Sequence, residues 1–173
     1  MINTEPVALQ GQLEPRGRLV VEHFNRFGDK IGEYDFPNGI ADVGKDLLLD
    51  CLFNDGTAPA TGDWSIGLID SSGYTALAAE DEMDDHTGWN EFGTYTESTR
   101  VAWGPGASSS QSVTNASPAT FNINGSGTVK GVFVVDDNGK SGTSGTLYAT
   151  ALFAAEVPVS SGDQLKVTYT TSA

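Results

Sequence analysis

The sequence predicts a mainly β domain, a β-sandwich or jelly-roll-like fold with one packed α-helix and an extended N-terminal arm. Its length of 173 residues fits a single domain, and its 21 glycines and 7 prolines suit short strands joined by tight turns. Apolar and polar residues alternate in several short segments, which turn signals separate about every 8–15 residues. Helical spacing of apolar residues is convincing in one stretch only.

Residues 1–17 are predicted to form the extended arm. Pro6 and Pro15 exclude regular structure around them. Val7, Leu9 and Leu13 are nevertheless apolar, so the arm has side chains to bury. We expect it to lie either on its own domain or on a neighbouring protein.

Residues 18–36 are predicted to form a β-hairpin, with a turn at residues 27–30. Both faces of its first strand are partly apolar, and Val20 and Phe24 share one of them. A strand of this kind is either covered on both faces or available to a partner. The residues after it, Pro37-Asn38-Gly39, predict a break in the chain.

The remaining segment, residues 37–173, is predicted to be the β-sandwich domain, with its helix at about residues 42–53. Asp42 is the expected N-cap. An apolar stripe indicates core packing; its members are Val43, Leu47, Leu48, Cys51 and Leu52. Cys51, the single cysteine, is interpreted as a buried and unreactive thiol.

The segment GTVKGVFVVD predicts a central strand that is buried on both faces. Strict alternation places Val129, Phe133 and Val135 on one face, and Val132 and Val134 on the other. Further strands are predicted in the segments DWSIGLID, STRVAW, PATFNIN, TLYATALFA and QLKVTYTTS.

The formal net charge of −14 opposes binding to nucleic-acid phosphates or to anionic lipids, so neither a nucleic acid nor a membrane is an expected partner. No apolar run approaches the roughly 18–20 residues that a membrane-spanning helix needs. The N-terminus also lacks the basic and apolar regions of a signal peptide, and we expect no such segment.

The sequence contains no familiar catalytic motif, and we expect no enzymatic activity and no cofactor. The acidic loop Glu80–His86 holds oxygen ligands that Ca²⁺ prefers, but it lacks EF-hand spacing. A solvated loop is therefore favoured over a metal site. Three tryptophans and five tyrosines leave a sugar-binding face open, although a β-sandwich core contains such residues as well.

Four residues of the segment 86–100 are predicted to have structural roles. Trp89 can fill the core beside the bend at Gly88, and His86 can satisfy backbone groups that an irregular segment leaves open. Glu91 and Arg100 are separated by one short loop and are expected to form an ion pair.

Several segments in order resemble a family of small virion structural proteins of tailed bacteriophages. They are FPNGIADVGKDLLLDCLF, the block from WSIGLID to STRVAW, FNINGSGTVKGVFVV, GTLYATALF and SGDQLKVTYT. The resemblance covers about residues 31–171. It implies a capsid decoration (cement) protein, made in the host cytoplasm, which binds the outer surface of the phage head and bridges coat subunits.

The partners that this resemblance implies are the major capsid protein and further copies of the same chain. We expect the arm and the hairpin to make the contact, through the apolar residues Val7, Leu9, Leu13, Val20 and Phe24. An extended arm can add a strand to a neighbour's open sheet edge. The acidic domain would face solvent.

Other functions stay open at this point. A tail fibre, baseplate or adaptor protein is one, and its low copy number per particle distinguishes it from a cement protein. A carbohydrate- or receptor-binding module that uses exposed aromatic residues is another. A glycan hydrolase and a non-viral adhesin are less favoured, the latter because no signal peptide is evident.

Overall fold

A computed structural model describes residues 15–173, which are mainly β, as the sequence predicts. The described residues form one helix, α1 (Asp42–Phe53), and nine strands. The strands are β1 (Arg16–Phe24), β2 (Lys30–Ile40), β3 (Ser65–Asp70), β4 (Val101–Ala102), β5 (Ser112–Thr114), β6 (Ala119–Asn122), β7 (Gly127–Val135), β8 (Leu147–Val159) and β9 (Gln164–Ser172).

One antiparallel sheet contains all nine strands, in the order β4-β3-β7-β8-β2-β1-β9-β5, with β6 also paired to β9. The sheet curls because β2 belongs to both of its halves. Residues Lys30–Asn38 of β2 pair with β1, whereas Gly39 and Ile40 pair with β8. The two halves therefore face each other across a common core.

Inward-facing side chains from both halves fill this main core. On β1 the alternation is regular, since Leu19, Val21 and His23 are buried and the residues between them are only partly so. Other members are Ile66, Leu68, Phe121, Val132, Val134, Phe153, Leu165, Val167 and Tyr169. Full burial of an aliphatic or phenyl side chain contributes roughly 1.5–3 kcal/mol, so this core provides most of the driving force for folding.

A second, smaller core covers the outer face of β3, β7 and β8. Phe133 and Val135 of β7 pack there against Met83 and Trp89 of the long connection between β3 and β4. The central strand β7 is thus buried on both faces, as its sequence predicts. Val129, however, belongs to the main core with Val132 and Val134, because the register shifts between Val129 and Gly131.

The expectation that Pro37-Asn38-Gly39 breaks the chain is wrong, because all three residues lie within β2. Pro37 lies opposite Arg18 of β1, and β2 first pairs with β8 two residues later, at Gly39. Pro37 therefore occupies a position where one side of the strand is open, and a residue without an N–H is tolerated there.

The predicted helix has the expected bounds but a different N-terminus. Ala41 is the N-cap residue and makes no side-chain cap hydrogen bond, and Asp42 is the first helical residue. The backbone N–H of Asp42 donates to Ala79 O at 2.8 Å, and Lys45 Nζ donates to the Asp42 carboxylate at 2.6 Å. Ala79 O thus satisfies one of the N–H groups that the first turn of a helix leaves without an intrahelical acceptor.

Candidate protein-binding surfaces

Five large apolar side chains are exposed among residues 15–173, and they fall into two groups. Phe27 and Ile31 are 76% and 57% exposed, and both belong to the hairpin of β1 and β2. Leu49, Leu52 and Phe53 are 54%, 68% and 82% exposed, and all belong to α1. Contiguous exposed apolar surface is a common mark of a protein interaction site.

The hairpin tip, residues 25–31, holds Phe27 in a well-defined turn. The side chain of Asn25 accepts hydrogen bonds from the backbone N–H groups of Phe27 and Asp29, at 2.9 and 3.0 Å. Gly28 adopts a φ of 85°, which glycine allows without strain. The Arg26 guanidinium lies 4.8 Å from the Phe27 ring centre. The tip therefore presents a phenyl ring and a cation to solvent in a fixed geometry.

Val20 and Phe24, the hairpin residues expected to contact a partner, lie on the outer face of β1 and are partly buried. Lys166 Nζ lies 4.5 Å from the Phe24 ring centre. The surrounding face is charged, with Arg18 bound to Asp35 and Lys30 bound to both Glu22 and Glu33. The hydrogen bond from Arg18 lowers the pKa of Asp35 below its usual value.

The second group lines a groove of about 610 Å³, which we call the α1 groove. Leu49, Leu52 and Phe53 line it from the helix, and the segment 108–113 lines it from another side. The ends of three strands complete it with Pro15, Tyr148, Thr171 and Ser172. The Tyr148 hydroxyl lies 3.0 Å from Thr171 Oγ1, and burial raises the pKa of Tyr148.

The prediction that the whole helical stripe packs in the core is therefore wrong for Leu52. Val43 and Leu48 do pack against the two cores, and Cys51 is partly buried. Gly44, the buried residue of α1, lies against the backbone of Tyr148. The helix is therefore closest to the sheet near its start, whereas Leu52 and Phe53 in its last turn are exposed beside the α1 groove.

The two exposed groups lie at opposite ends of β1. Pro15, immediately before β1, lines the α1 groove, and Phe24, its last residue, leads into the hairpin tip. A strand of 9 residues extends roughly 30 Å at about 3.3 Å per residue. Along its length β1 is paired with β2 on one side and with β9 on the other, which holds the two ends at a fixed separation.

The exposure of these two groups was not predicted from the sequence. Phe27 was assigned to a turn and Leu52 to a buried stripe, and Ile31, Leu49 and Phe53 were not singled out. One signal was available for α1, since Leu47, Leu48 and Leu49 are consecutive and cannot all share one face of a helix. A large aromatic residue at the centre of a tight turn was the signal for Phe27.

Val7, Leu9 and Leu13, the arm residues predicted to contact a partner, lie outside the described residues. The structure places the four predicted structural residues, beginning with Trp89, which is 1% exposed in the second core. His86 stacks on the Trp89 ring at a centroid distance of 3.9 Å, and its Nδ1 lies 3.1 Å from Trp89 O. His86 thus provides a hydrogen-bond partner for a backbone carbonyl of the irregular segment.

Glu91 and Arg100 are in direct contact, with side chains that are 6% and 0% exposed. Arg100 Nη2 also donates to Gly142 O at 2.6 Å, and Nη1 donates to Asp137 O at 3.3 Å. The other oxygen of Glu91 accepts a hydrogen bond from the Tyr95 hydroxyl at 3.2 Å. These contacts join two segments, the connection between β3 and β4 and the loop between β7 and β8.

The acidic loop is organised around one buried carboxylate. Asp81 is 7% exposed and accepts hydrogen bonds from Trp89 Nε1 at 2.9 Å and from the backbone N–H of Ala78 at 3.0 Å. Glu80, Glu82, Asp84 and Asp85 are exposed. Within residues 15–173, no group of three or more His, Cys, Asp or Glu side chains could hold a metal ion.

In the described part of the chain, no helix has both the length and the apolar character needed to cross a membrane. Comparisons with known proteins identify no relative, since neither a family model nor a curated protein matches this chain.

Proposed function

We propose that this chain is a structural protein that joins neighbouring protein subunits, and specifically a decoration (cement) protein on the outer surface of a tailed-phage head. The observation that carries the proposal is that the exposed hairpin tip and Pro15 lie at opposite ends of β1. The hairpin tip with Phe27 and Ile31 lies at one end, and Pro15, the residue that follows the N-terminal arm in the chain, lies at the other. The coat subunits of the head are the proposed partners.

Separation of the two elements is what a bridging protein requires. If the hairpin tip and the arm bound the same small site, the chain would decorate a subunit without linking it to the next one. With about 30 Å between them, each element can contact a different coat subunit. The second contact is then intramolecular, so it strengthens attachment without requiring high affinity at either end.

The domain between the two ends is suited to transmit load. β1 lies in the sheet interior with partners on both sides, and its inward residues Leu19 and Val21 are at most 1% exposed. Separating the two ends would require breaking paired strands over a packed core. A pull between coat subunits would therefore act on native β-structure and not on a loose linker.

The charge of the chain supports an outward-facing position. The net charge is −14, and the exposed carboxylates of Glu80, Glu82, Asp84 and Asp85 contribute to it. A strongly acidic outer surface reduces association between particles. The hairpin tip, where the Arg26 guanidinium lies beside the exposed Phe27 ring, offers a different surface for attachment.

Quantitative mass spectrometry and cryo-microscopy of purified virions test the proposal directly. We expect copy numbers comparable to that of the coat protein, and density on the outer head surface at the joints between subunits. A few copies at the tail or at one vertex would overturn the decoration role and support a fibre or adaptor role.

Variants at each end test the bridging mechanism. We expect Phe27→Ser with Ile31→Ser, and separately deletion of residues 1–12, which keeps Leu13, to lower occupancy on heads that lack the protein. Wild-type protein should raise the temperature at which heads release DNA, and neither one-ended variant should do so. Ser144→Ala, at an exposed position of the loop between β7 and β8, is the matched control and should behave as wild type. Full protection by either one-ended variant would contradict bridging.

A further inference from the structure

The apolar face of α1 lacks a covering element among residues 15–173. Leu52 and Phe53 are more than two-thirds exposed and line the α1 groove together with Leu49. Three neighbouring apolar side chains at the end of one helix are costly to leave in water, at roughly 25 cal/mol for each Å² of apolar surface. A segment that covers them would therefore bind with a substantial hydrophobic contribution.

The chain itself enters the domain at this groove. Pro15 lines the groove, so the residues that precede it begin there. Leu13 is two residues away and lies at most about 7 Å from Pro15 along the chain. No long connection is needed to bring the Leu13 side chain to the groove.

The alternation of side chains along β1 predicts which side of the chain Leu13 would face. Leu19, Val21 and His23 point inward, and the odd-numbered positions of this strand share that face. Pro15 lies on the same side and lines the groove. If the backbone continues in an extended conformation for two residues, Leu13 follows on the groove side and Glu14 on the opposite side.

We propose that the α1 groove is the seat of Leu13 from the N-terminal arm of the same chain. Leu13 packs against the apolar end of α1 and anchors the root of the arm. The groove then binds a residue of the same chain. That residue, Leu13, is the first aliphatic residue that precedes Pro15 in the sequence.

The outer part of the arm is long enough to extend beyond this site. Val7 is eight residues from Pro15, which allows an extended span of up to about 28 Å. The helix α1 has 12 residues and is about 18 Å long. An arm anchored at Leu13 would therefore be long enough for Val7 and Leu9 to reach a neighbouring subunit. This consequence rests on the proposed function, whereas the seat of Leu13 does not.

The first test uses the free protein, without particles. We expect Leu13→Ser to lower the Tm by roughly 4–8 °C, as loss of one buried leucine predicts for a domain of this size. It should also raise the fluorescence of a dye that binds exposed apolar surface several-fold. Val7→Ser and Leu9→Ser are the matched controls and should change neither quantity. Equal behaviour of all three variants would overturn the proposal.

The second test identifies the chain that supplies the occupant. In a Cys51→Ser background, Leu13→Cys is combined in turn with Leu49→Cys and with Leu52→Cys. We expect at least one pair to form a disulfide within a monomer under mild oxidation, since a bond needs Cα atoms within about 7 Å. A disulfide found only in dimers would show that a second copy supplies the arm, and no disulfide with either pair would exclude this seat.

These measurements are independent of the bridging role. If Leu13 fails both tests while the virion experiments succeed, the seat is wrong and the decoration role stands. If Leu13 passes both tests while the chain is missing from virions, the groove keeps its occupant and the decoration role is wrong.

Discussion

The Arg100 guanidinium donates two hydrogen bonds to a single carboxylate oxygen of Glu91, from Nε at 3.1 Å and from Nη2 at 2.9 Å. The same oxygen accepts the backbone N–H of Ser141 at 2.9 Å. Because Arg100 also donates to Asp137 O and Gly142 O, one ion pair fixes both the segment before β4 and the loop between β7 and β8.

We expect Arg100→Ala to lower the free energy of unfolding by about 3–5 kcal/mol, because it leaves the buried Glu91 carboxylate without its cation. Urea unfolding at neutral pH measures the loss. The double variant Glu91→Ala with Arg100→Ala should lose less than the sum of the two single changes, since it leaves no unpaired charge. Additive losses would show that the two residues stabilise the fold independently.

A second prediction concerns Asp81 in the acidic loop. Asp81→Ala leaves the buried Trp89 Nε1 and the partly buried N–H of Ala78 without their acceptor. We expect a loss of about 1–3 kcal/mol in the free energy of unfolding. Asp84→Ala, at an exposed position of the same loop, is the control and should change it by less than about 0.5 kcal/mol. Similar effects for both variants would contradict a structural role for Asp81.

The regular spacing of apolar residues along the sequence is sufficient to predict the main elements of this fold. The mainly β class, the helix at 42–53 and the central strand at residues 127–135 follow from short-range spacing of apolar residues, which the structure confirms. Pro37 predicts a chain break, but it lies within β2. A strand tolerates proline where one of its two sides has no neighbouring strand, and the sequence does not show which strands pair. Strict alternation predicts the wrong face for Val129. The register is irregular at Lys130, so the residues before it point to the opposite face from the one that strict alternation assigns.

The candidate surfaces required tertiary information. Leu52 has the spacing of a core residue, yet it is exposed beside the α1 groove because the described residues place no element over it. Asp81 belongs to a run of acidic residues, and nothing in the sequence distinguishes it from Asp84 or Asp85. Its burial depends on Trp89, which the second core holds in place eight residues later.

Buried tyrosines predict loss of stability at alkaline pH. Burial raises the pKa of Tyr95 and of Tyr169, because the fold favours the neutral hydroxyl. In the unfolded chain a tyrosine ionises near pH 10. Their contribution is therefore complete below about pH 10 and decreases above it, where the unfolded chain releases protons that the folded chain retains.

Urea unfolding between about pH 8 and pH 11 measures this decrease, and near-ultraviolet absorbance detects tyrosinate in the unfolded state. Tyr169→Phe should make the decrease less steep, because it removes one of these protons. Its effect at neutral pH includes the loss of the hydrogen bond from Asn38 Nδ2 to the Tyr169 hydroxyl, which measures 3.3 Å. An unchanged pH dependence would contradict the role assigned to Tyr169.

Gly67 provides the last prediction, because the Phe133 ring lies over it on the neighbouring strand. A Cβ atom at position 67 would lie 2.1 Å from Phe133 Cζ. The ring has little room to move, since it also packs against Trp89 at a centroid distance of 5.1 Å and lies 5.2 Å from the Arg100 guanidinium carbon. We therefore expect Gly67→Ala to lower the free energy of unfolding by about 1–3 kcal/mol through overpacking.

Gly39→Ala is the matched control, because no heavy atom lies within 4 Å of a Cβ at that position of β2. It should change the urea midpoint little, with an effect below about 0.5 kcal/mol. Phe133→Leu combined with Gly67→Ala should recover part of the loss, since the smaller side chain leaves space for the new methyl group. If Gly67→Ala and Gly39→Ala prove equally mild, the second core adapts more readily than the contacts of Phe133 indicate.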